Sequence, residues 1–133
     1  MSHVLKMRAQ IRSLPDLRAA VKMIPGLVYE EAKEFQYWSD FSEPCLAKIR
    51  LADHTGGYGN EIGIRQEKDG TYSLNYDPSM ASRINAIAGY NLIRLVGQYN
   101  VEQTKRKLGA NYRYRQTVNA DGSIDLEAID LRG

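Results

Sequence analysis

The sequence has few of the residues that build disulfides, metal centres or membrane spans. It holds one cysteine, Cys45, so no intrachain disulfide can form and a reducing compartment is expected. His3 and His54 are its two histidines, and no pair among these three residues has ligand spacing, so no metal site is predicted. The N-terminus is too charged for a signal peptide, and no apolar run approaches the roughly 20 residues of a membrane helix. We therefore expect a cytosolic protein without a membrane, metal or cofactor partner.

The chain also lacks a strong net charge. A formal charge of +2 is too small to indicate nucleic-acid binding by itself. The charges are unevenly placed, however, because residues 94–115 carry six cations and one acid, whereas residues 30–43 carry five acids and one lysine. Nine tyrosines stand against two phenylalanines and one tryptophan. Tyrosine joins a stacking surface to a polar tip, so it suits half-buried sheet faces and wet binding surfaces alike.

We expect a single domain spanning residues 1–133. The first half of the chain shows both strand and helix patterns. Alternation over residues 3–12 predicts a strand. A helix should start at Ser13-Leu14-Pro15 and stop at Pro25-Gly26. Residues 27–38 fit either a strand or a helix, and their aromatic and β-branched content favours a strand. Pro44 then precedes a strand over residues 45–53, with Cys45 on its apolar face.

Glycines 56, 57 and 59 raise the possibility of a phosphate-binding loop. Such a loop must lead from a strand into a helix, whose first amides bind the anion. The residues after Gly59 instead alternate, reach the tight-turn pair Asp69-Gly70, and alternate again on the return. This pattern predicts a β-hairpin behind a mobile glycine connector and excludes a Walker or Rossmann loop.

The second half of the chain predicts one long helix and a second hairpin. The helical tract follows Asp77-Pro78 and ends with Lys105–Lys107 and Gly109, which are typical C-terminal signals, and Gly89 favours a break within it. Two strands around the turn 119–122 complete the chain. The predicted order is β-α-β-β-β-β-α-β-β. It indicates an α+β fold in which a mostly antiparallel sheet of five to six strands carries two helices on one face.

Several motifs make the whole chain resemble the family of conserved chloroplast open reading frame thirty-five. They are MSHVLKMRAQIRSLPDLRAAV at the N-terminus, GYGNEIGIR, LVGQYNVEQTKRKLGA and the closing DGSIDL. That family is a domain of unknown function from plastids, cyanobacteria, other bacteria and bacterial viruses. Gln66 stands where the family has a tryptophan, and Asn100 where it has a histidine. The resemblance implies a bacterial or viral accessory protein, in the host cytoplasm if viral, and no defined activity.

Residues that could support catalysis have simpler structural interpretations. Cys45 lies on an apolar strand face with no histidine beside it in sequence, which favours a buried structural thiol. The carboxylate pairs Glu30-Glu31 and Asp125/Glu127 fit solvated strand faces. We therefore expect no enzymatic activity.

One basic and aromatic cluster predicts a binding site. Tyrosine rings stack on bases, and arginine and lysine pair with phosphates, so an anionic, nucleotide-type ligand suits it. The predicted ligand-binding residues are Arg65, Tyr72, Tyr76, Lys105, Arg106, Tyr112, Arg113, Tyr114 and Arg115. Under the competing interpretation, Tyr112 and Tyr114 face the core while Arg113 and Arg115 point to water. The functional hypothesis is a non-enzymatic, homo-oligomeric protein that sequesters a nucleotide signal. The alternative is a protein-interaction module, for example a partner of an ATPase.

Overall fold

The computed structural model describes residues 5–38, 41–52, 61–76, 91–121 and 123–132. The predicted glycine connector, both histidines and the start of the long helix, with its expected break near Gly89, lie outside these residues. Within these ranges the structure has two helices, α1 (Leu14–Lys22) and α2 (Asn91–Leu108). The strands are β1 (Leu5–Ile11), β2 (Leu27–Glu31), β3 (Glu34–Trp38), β4 (Phe41–Pro44), β5 (Ala47–Leu51), β6 (Ile62–Gln66), β7 (Tyr72–Tyr76), β8 (Tyr112–Val118) and β9 (Ile124–Asp130). Neither helix, within these ranges, is long and apolar enough to cross a membrane.

A five-stranded sheet forms the centre of the fold, and its strand pairs are antiparallel in the order β1-β7-β6-β5-β2. This confirms the predicted α+β class. Two further antiparallel pairs, β3–β4 and β8–β9, form separate two-stranded ribbons instead of extending the sheet. Among the described strands, β1 and β2 are therefore the two edges of the central sheet.

The hydrophobic core lies between the central sheet and the two helices. Its buried side chains alternate along the strands, as in Ile49, Ile64 and Leu74, and meet Leu17 of α1 and Leu95 of α2. Because alternate residues of a strand share a face, these positions define the helix-facing side of the sheet. The prediction that both helices pack on one face agrees with this arrangement.

Helix α1 begins where the sequence predicts. The Ser13 side chain accepts a hydrogen bond from the Asp16 amide at 3.3 Å, and Pro15 occupies the first turn, where its missing N–H leaves no bond unmade. A long-range contact fixes the same junction. The buried Tyr99 hydroxyl of α2 accepts hydrogen bonds from the amides of Arg12 (2.7 Å) and Ser13 (3.0 Å).

The prediction of one continuous strand over residues 27–38 was wrong in one respect, because the structure divides it after Glu31. Its first half is β2, which pairs with β5; its second half is β3, which pairs with β4. The physical reason is Phe35, which is completely buried on the face of the sheet opposite the helices, against Gly63. A single flat strand could not place residues 27–31 in the sheet edge and Phe35 on top of the same sheet. Sequence alternation contains no sign of this fold-over.

The structure confirms the predicted turn of the β6–β7 hairpin and the predicted end of the long helix. The β6–β7 hairpin turns at Asp69-Gly70, where Gly70 has φ +88° and its amide donates to the Glu67 carbonyl at 3.0 Å. Gly109, with φ +83°, follows α2, and its amide donates to the Lys105 carbonyl at 2.9 Å. Left-handed backbone of this kind favours glycine.

Candidate ligand-binding surface

The β8–β9 ribbon separates the predicted tyrosines from the predicted arginines. Along β8, half-buried Tyr112, Tyr114 and Gln116 alternate with exposed Arg113 and Arg115. The two sets therefore occupy opposite faces of the ribbon. This is the arrangement that the competing interpretation of the cluster described.

The inner face of the ribbon packs against α2 through polar contacts. Gln98, fully buried on α2, and Gln116 exchange two side-chain hydrogen bonds of 3.0 and 3.3 Å. The Tyr114 hydroxyl donates to the Gly109 carbonyl at 2.8 Å, just beyond the last turn of α2. The same hydroxyl lies 3.3 Å from the carbonyl of Lys105, in the last turn of α2, where carbonyls lack amide partners further along the helix.

Two tyrosine rings and two cations meet at this end of the ribbon. The rings of Tyr112 and Tyr114 are stacked, with centroids 6.5 Å apart and planes inclined by 30°. The Lys105 ammonium lies 5.8 Å from the Tyr114 centroid, and the Arg132 guanidinium lies 5.5 Å from the Tyr112 centroid. Arg132 also donates to the Tyr112 hydroxyl at 3.3 Å. We call these four residues, Lys105, Tyr112, Tyr114 and Arg132, the tyrosine–cation patch.

The local electrostatics of this patch are positive but partly balanced. Arg132 pairs with Asp130 at 3.1 Å, and the hydrogen bond from Arg132 holds the pKa of the Asp130 carboxyl below its ordinary value. Lys105 has its contact with the Tyr114 ring, and exposed Lys107 follows two residues later. Lysine and arginine form charge-assisted hydrogen bonds with anionic oxygens. The patch can therefore accept a negatively charged group.

Arg106, which the sequence placed in the same cluster, has a different partner. Its guanidinium lies 2.7 Å from the carboxylate of Asp16, a buried residue in the first turn of α1. This ion pair joins the start of α1 to the end of α2. It also offsets the free-energy cost of burying the charged Asp16 carboxylate. Arg106 thus has a structural role in the described contacts.

The three predicted residues of the central sheet are not brought to the patch. Tyr72 and Tyr76, on β7, are half-buried on the helix-facing side and pack against the core. Arg65 pairs in register with Ser73, the neighbour of Tyr72, so it lies on the opposite face. There it bonds to the Pro44 carbonyl at 2.7 Å, pairs with the Glu43 carboxylate and lies over the Phe35 ring.

Sequence reasoning missed Arg132 as a member of the patch. It is the penultimate residue, and it reaches Tyr112 only because β9 returns antiparallel to β8 and places Asp130 opposite Tyr112. The predicted β8–β9 hairpin was a sufficient signal, since its pairing carries the residues after β9 back to the start of β8.

Apart from the tyrosine–cation patch, a surface depression of about 470 Å³ lies between α1 and the edge strand β2. It is lined by Leu14, Pro15, Arg18, Ala19, Lys22, Tyr29 and Glu31. The Arg18 guanidinium lies 5.7 Å from the centroid of the Tyr29 ring. Burial raises the pKa of the Tyr29 hydroxyl, and the nearby Glu31 carboxylate raises it further. We refer to this depression as the α1–β2 groove.

The predicted strand over residues 45–53 is shorter in the structure, where β5 spans Ala47–Leu51. Cys45 therefore precedes the strand instead of lying on its apolar face, and it is not fully buried as predicted. Its thiol is half-buried and donates to the Ala32 carbonyl at 3.4 Å, and burial raises its pKa above the ordinary value. A raised pKa disfavours the nucleophilic thiolate. Across the described part of the chain, no group of three or more histidine, cysteine, aspartate or glutamate side chains is placed to hold a metal ion.

Comparisons of the chain with protein-family models, with curated proteins and with solved structures returned no match. The family resemblance drawn from the sequence motifs stays a prediction.

Proposed function

We propose that this protein is a non-enzymatic binding protein that captures a small anionic ligand with a planar ring, such as a nucleotide, at the tyrosine–cation patch. The observation that carries the proposal is the stacked Tyr112–Tyr114 pair with a cation over each ring. A sequestering protein for a nucleotide signal is its most concrete form, in the cytoplasm of a host cell if the protein is viral.

The chemistry of the patch suits two parts of such a ligand. A base offers a flat π surface that can stack on a tyrosine ring, and stacking of this kind is worth about 1–3 kcal/mol per base. A phosphate offers charged oxygens to Lys105 and Arg132, and charge-assisted hydrogen bonds are roughly twice as strong as neutral ones. A base that stacks on either ring takes the place of the cation over that ring, and Arg132 exchanges its Asp130 partner for the phosphate.

The test is isothermal titration calorimetry with a panel of linear and cyclic nucleotides. We expect one or more to release heat, and we expect Lys105→Gln and Arg132→Gln to weaken that binding about tenfold each, which corresponds to about 1.4 kcal/mol. Arg113→Gln and Arg115→Gln are the matched controls, because they remove the same charge from the opposite face of the ribbon.

The outcomes of this experiment are distinct. Affinity that depends on Arg113 and Arg115 instead of Lys105 and Arg132 would move the site to the outer face of the ribbon. Absence of heat with every nucleotide would reject the proposal. Turnover of a nucleotide in the same cell would reject its non-enzymatic part.

The alternative function, a protein-interaction module such as an ATPase partner, is favoured by two apolar side chains beside the patch. Leu108, at the end of α2, and Leu131, next to Arg132, are 38% and 58% exposed. Exposed apolar groups rimmed by charge are typical of protein interfaces. Recovery of one stoichiometric protein and no nucleotide in a pull-down would support this alternative, and Leu131→Ser should then weaken the recovery.

A further inference from the structure

Strand β2 is an edge of the central sheet, and within the described ranges no strand pairs with its outer side. The amide of Ala52 donates to the carbonyl of Gly26 at 2.9 Å, in the same register that pairs Val28 with Arg50 and Glu30 with Lys48. Hydrogen-bonded pairs in an antiparallel ladder alternate with non-bonded ones. The backbone groups of Val28 and Glu30 therefore point to β5, whereas those of Tyr29 and Glu31 point outward.

Charged side chains of opposite sign lie at the two ends of this edge. Lys22 is the last residue of α1, and a four-residue turn leads from it to Leu27, the first residue of β2. The Lys22 cation therefore lies near the start of the strand. Glu31 ends the strand. Both Lys22 and Glu31 are exposed, and both line the α1–β2 groove, with Arg18 between them. One end of the groove is thus positive and the other negative.

We propose that this edge pairs with the same edge of a second copy of the chain, which joins two five-stranded sheets into one. An isologous interface needs a surface that is complementary to itself after a two-fold rotation. Antiparallel pairing centred on Tyr29 supplies it, because Leu27 then lies opposite Glu31 of the partner subunit. That register sets the negative end of each strand beside the Lys22 of the other copy.

The same pairing satisfies the open backbone edge. The outward amide and carbonyl of Tyr29 meet those of Tyr29 of the partner subunit, since outward-pointing residues form the hydrogen-bonded pairs of the new ladder. An unpaired edge strand is a template for strand addition. Unlike the proposed ligand capture, this dimer does not depend on the tyrosine–cation patch.

Sedimentation velocity over a dilution series tests the dimer. We expect a monomer–dimer equilibrium whose association is weakened at least tenfold by Glu31→Lys or by Lys22→Glu. The double variant should restore it, because it exchanges the two charges and keeps them opposite. Glu127→Lys, a charge reversal at an exposed position of β9, is the control and should leave the equilibrium unchanged. Circular dichroism confirms that each variant is folded.

Amide hydrogen exchange locates the contact. Protection of the Tyr29 and Glu31 amides should rise with protein concentration, whereas the Val28 and Glu30 amides, bonded to β5, should be protected at every concentration. A chain that is monomeric throughout the series overturns the proposal. So does a dimer that survives both single reversals, fails to recover in the double variant, or leaves the Tyr29 and Glu31 amides unaffected.

Discussion

Phe35 lies directly over Gly63, so that a β-carbon added to this glycine would fall inside the van der Waals surface of the phenylalanine ring. The ring is fully buried, and it anchors the β3–β4 ribbon to the sheet. Gly63→Ala should therefore lower the free energy of unfolding by about 1–3 kcal/mol, the usual cost of overpacking a core. Urea denaturation measures it. The Gly63→Ala/Phe35→Leu double variant should lose less than the sum of its two single variants, and strict additivity would contradict the contact.

Gly97, within α2, is expected to show the opposite effect. A β-carbon there would meet Ile124 at 3.5 Å, which is an ordinary contact. Alanine is favoured over glycine inside a helix by about 0.5–1 kcal/mol, so Gly97→Ala should raise the free energy of unfolding by that amount. The same urea experiment measures both variants side by side. A loss of stability at position 97 would show that α2 and the β8–β9 ribbon lie closer than described.

The Tyr99 hydroxyl is expected to stabilise the β1–α1 junction. Tyr99→Phe removes the acceptor of the Arg12 and Ser13 amides while keeping the ring in the core. Losing hydrogen bonds to these partly buried donors costs about 0.5–1.5 kcal/mol, so the melting temperature should fall, and the Ser13 amide should exchange faster. Tyr76→Phe, which changes a half-buried ring with no described hydroxyl bond, is the control. Equal losses for the two variants would argue against a role for the Tyr99 hydroxyl.

The Gln98–Gln116 pair is expected to be coupled. Gln98→Leu leaves the Gln116 amide without its partner, and Gln116→Leu leaves the buried Gln98 amide with a single 3.4 Å contact to Glu102, each at a cost of about 1–3 kcal/mol. Replacing both residues by leucine removes the unpaired group and should recover most of that loss. A double-mutant cycle in urea measures the coupling, and a coupling energy near zero would contradict the exchange of hydrogen bonds.

Glu30 should give the stability a small acidic dependence. The hydrogen bond from Arg50, 2.7 Å long, holds the pKa of Glu30 below its ordinary value of 4.5 in the folded state. The bond therefore contributes at pH values above 4.5, and its contribution is lost as the pH falls through the folded-state pKa. Glu30→Gln should cost about 0.5 kcal/mol near neutral pH, as expected for an exposed pair. Thermal melts should show this difference vanish in acid, and a difference that persists there would contradict an ionic origin.

The sequence predicted the elements of this fold better than it predicted their assembly. Helix α1, the β6–β7 hairpin and the end of α2 follow from local signals, such as Ser13, Asp69-Gly70 and Gly109, which act within a few residues. The separate β3–β4 ribbon depends on the insertion of Phe35 over Gly63, a contact between residues 28 positions apart that leaves no periodic mark.

The candidate site was predicted only in part, for a related reason. The alternation along β8 showed that Tyr112 and Tyr114 share one face, and the structure places them with Lys105. Alternation cannot say which face meets α2, nor that Arg106 finds Asp16 across the helix pair. Those choices are made by long-range packing and buried charge compensation.

The β3–β4 ribbon covers the face of the central sheet opposite the helices, and the side chains beneath it are mostly polar. Beneath it lie Ser73 and Asn75, which are hydrogen-bonded to one another, and Glu61, which pairs with Lys48 and accepts from the Gln36 amide. Water can satisfy such groups, whereas it cannot replace the core contacts on the helix side. Among the described contacts, lifting the ribbon would expose the Phe35 ring and exchange the polar bonds of Arg65 with Glu43 and Pro44, and of Glu61 with Gln36, for bonds to water. We expect it to open and close as a local unit while the helix-facing half of the molecule stays folded.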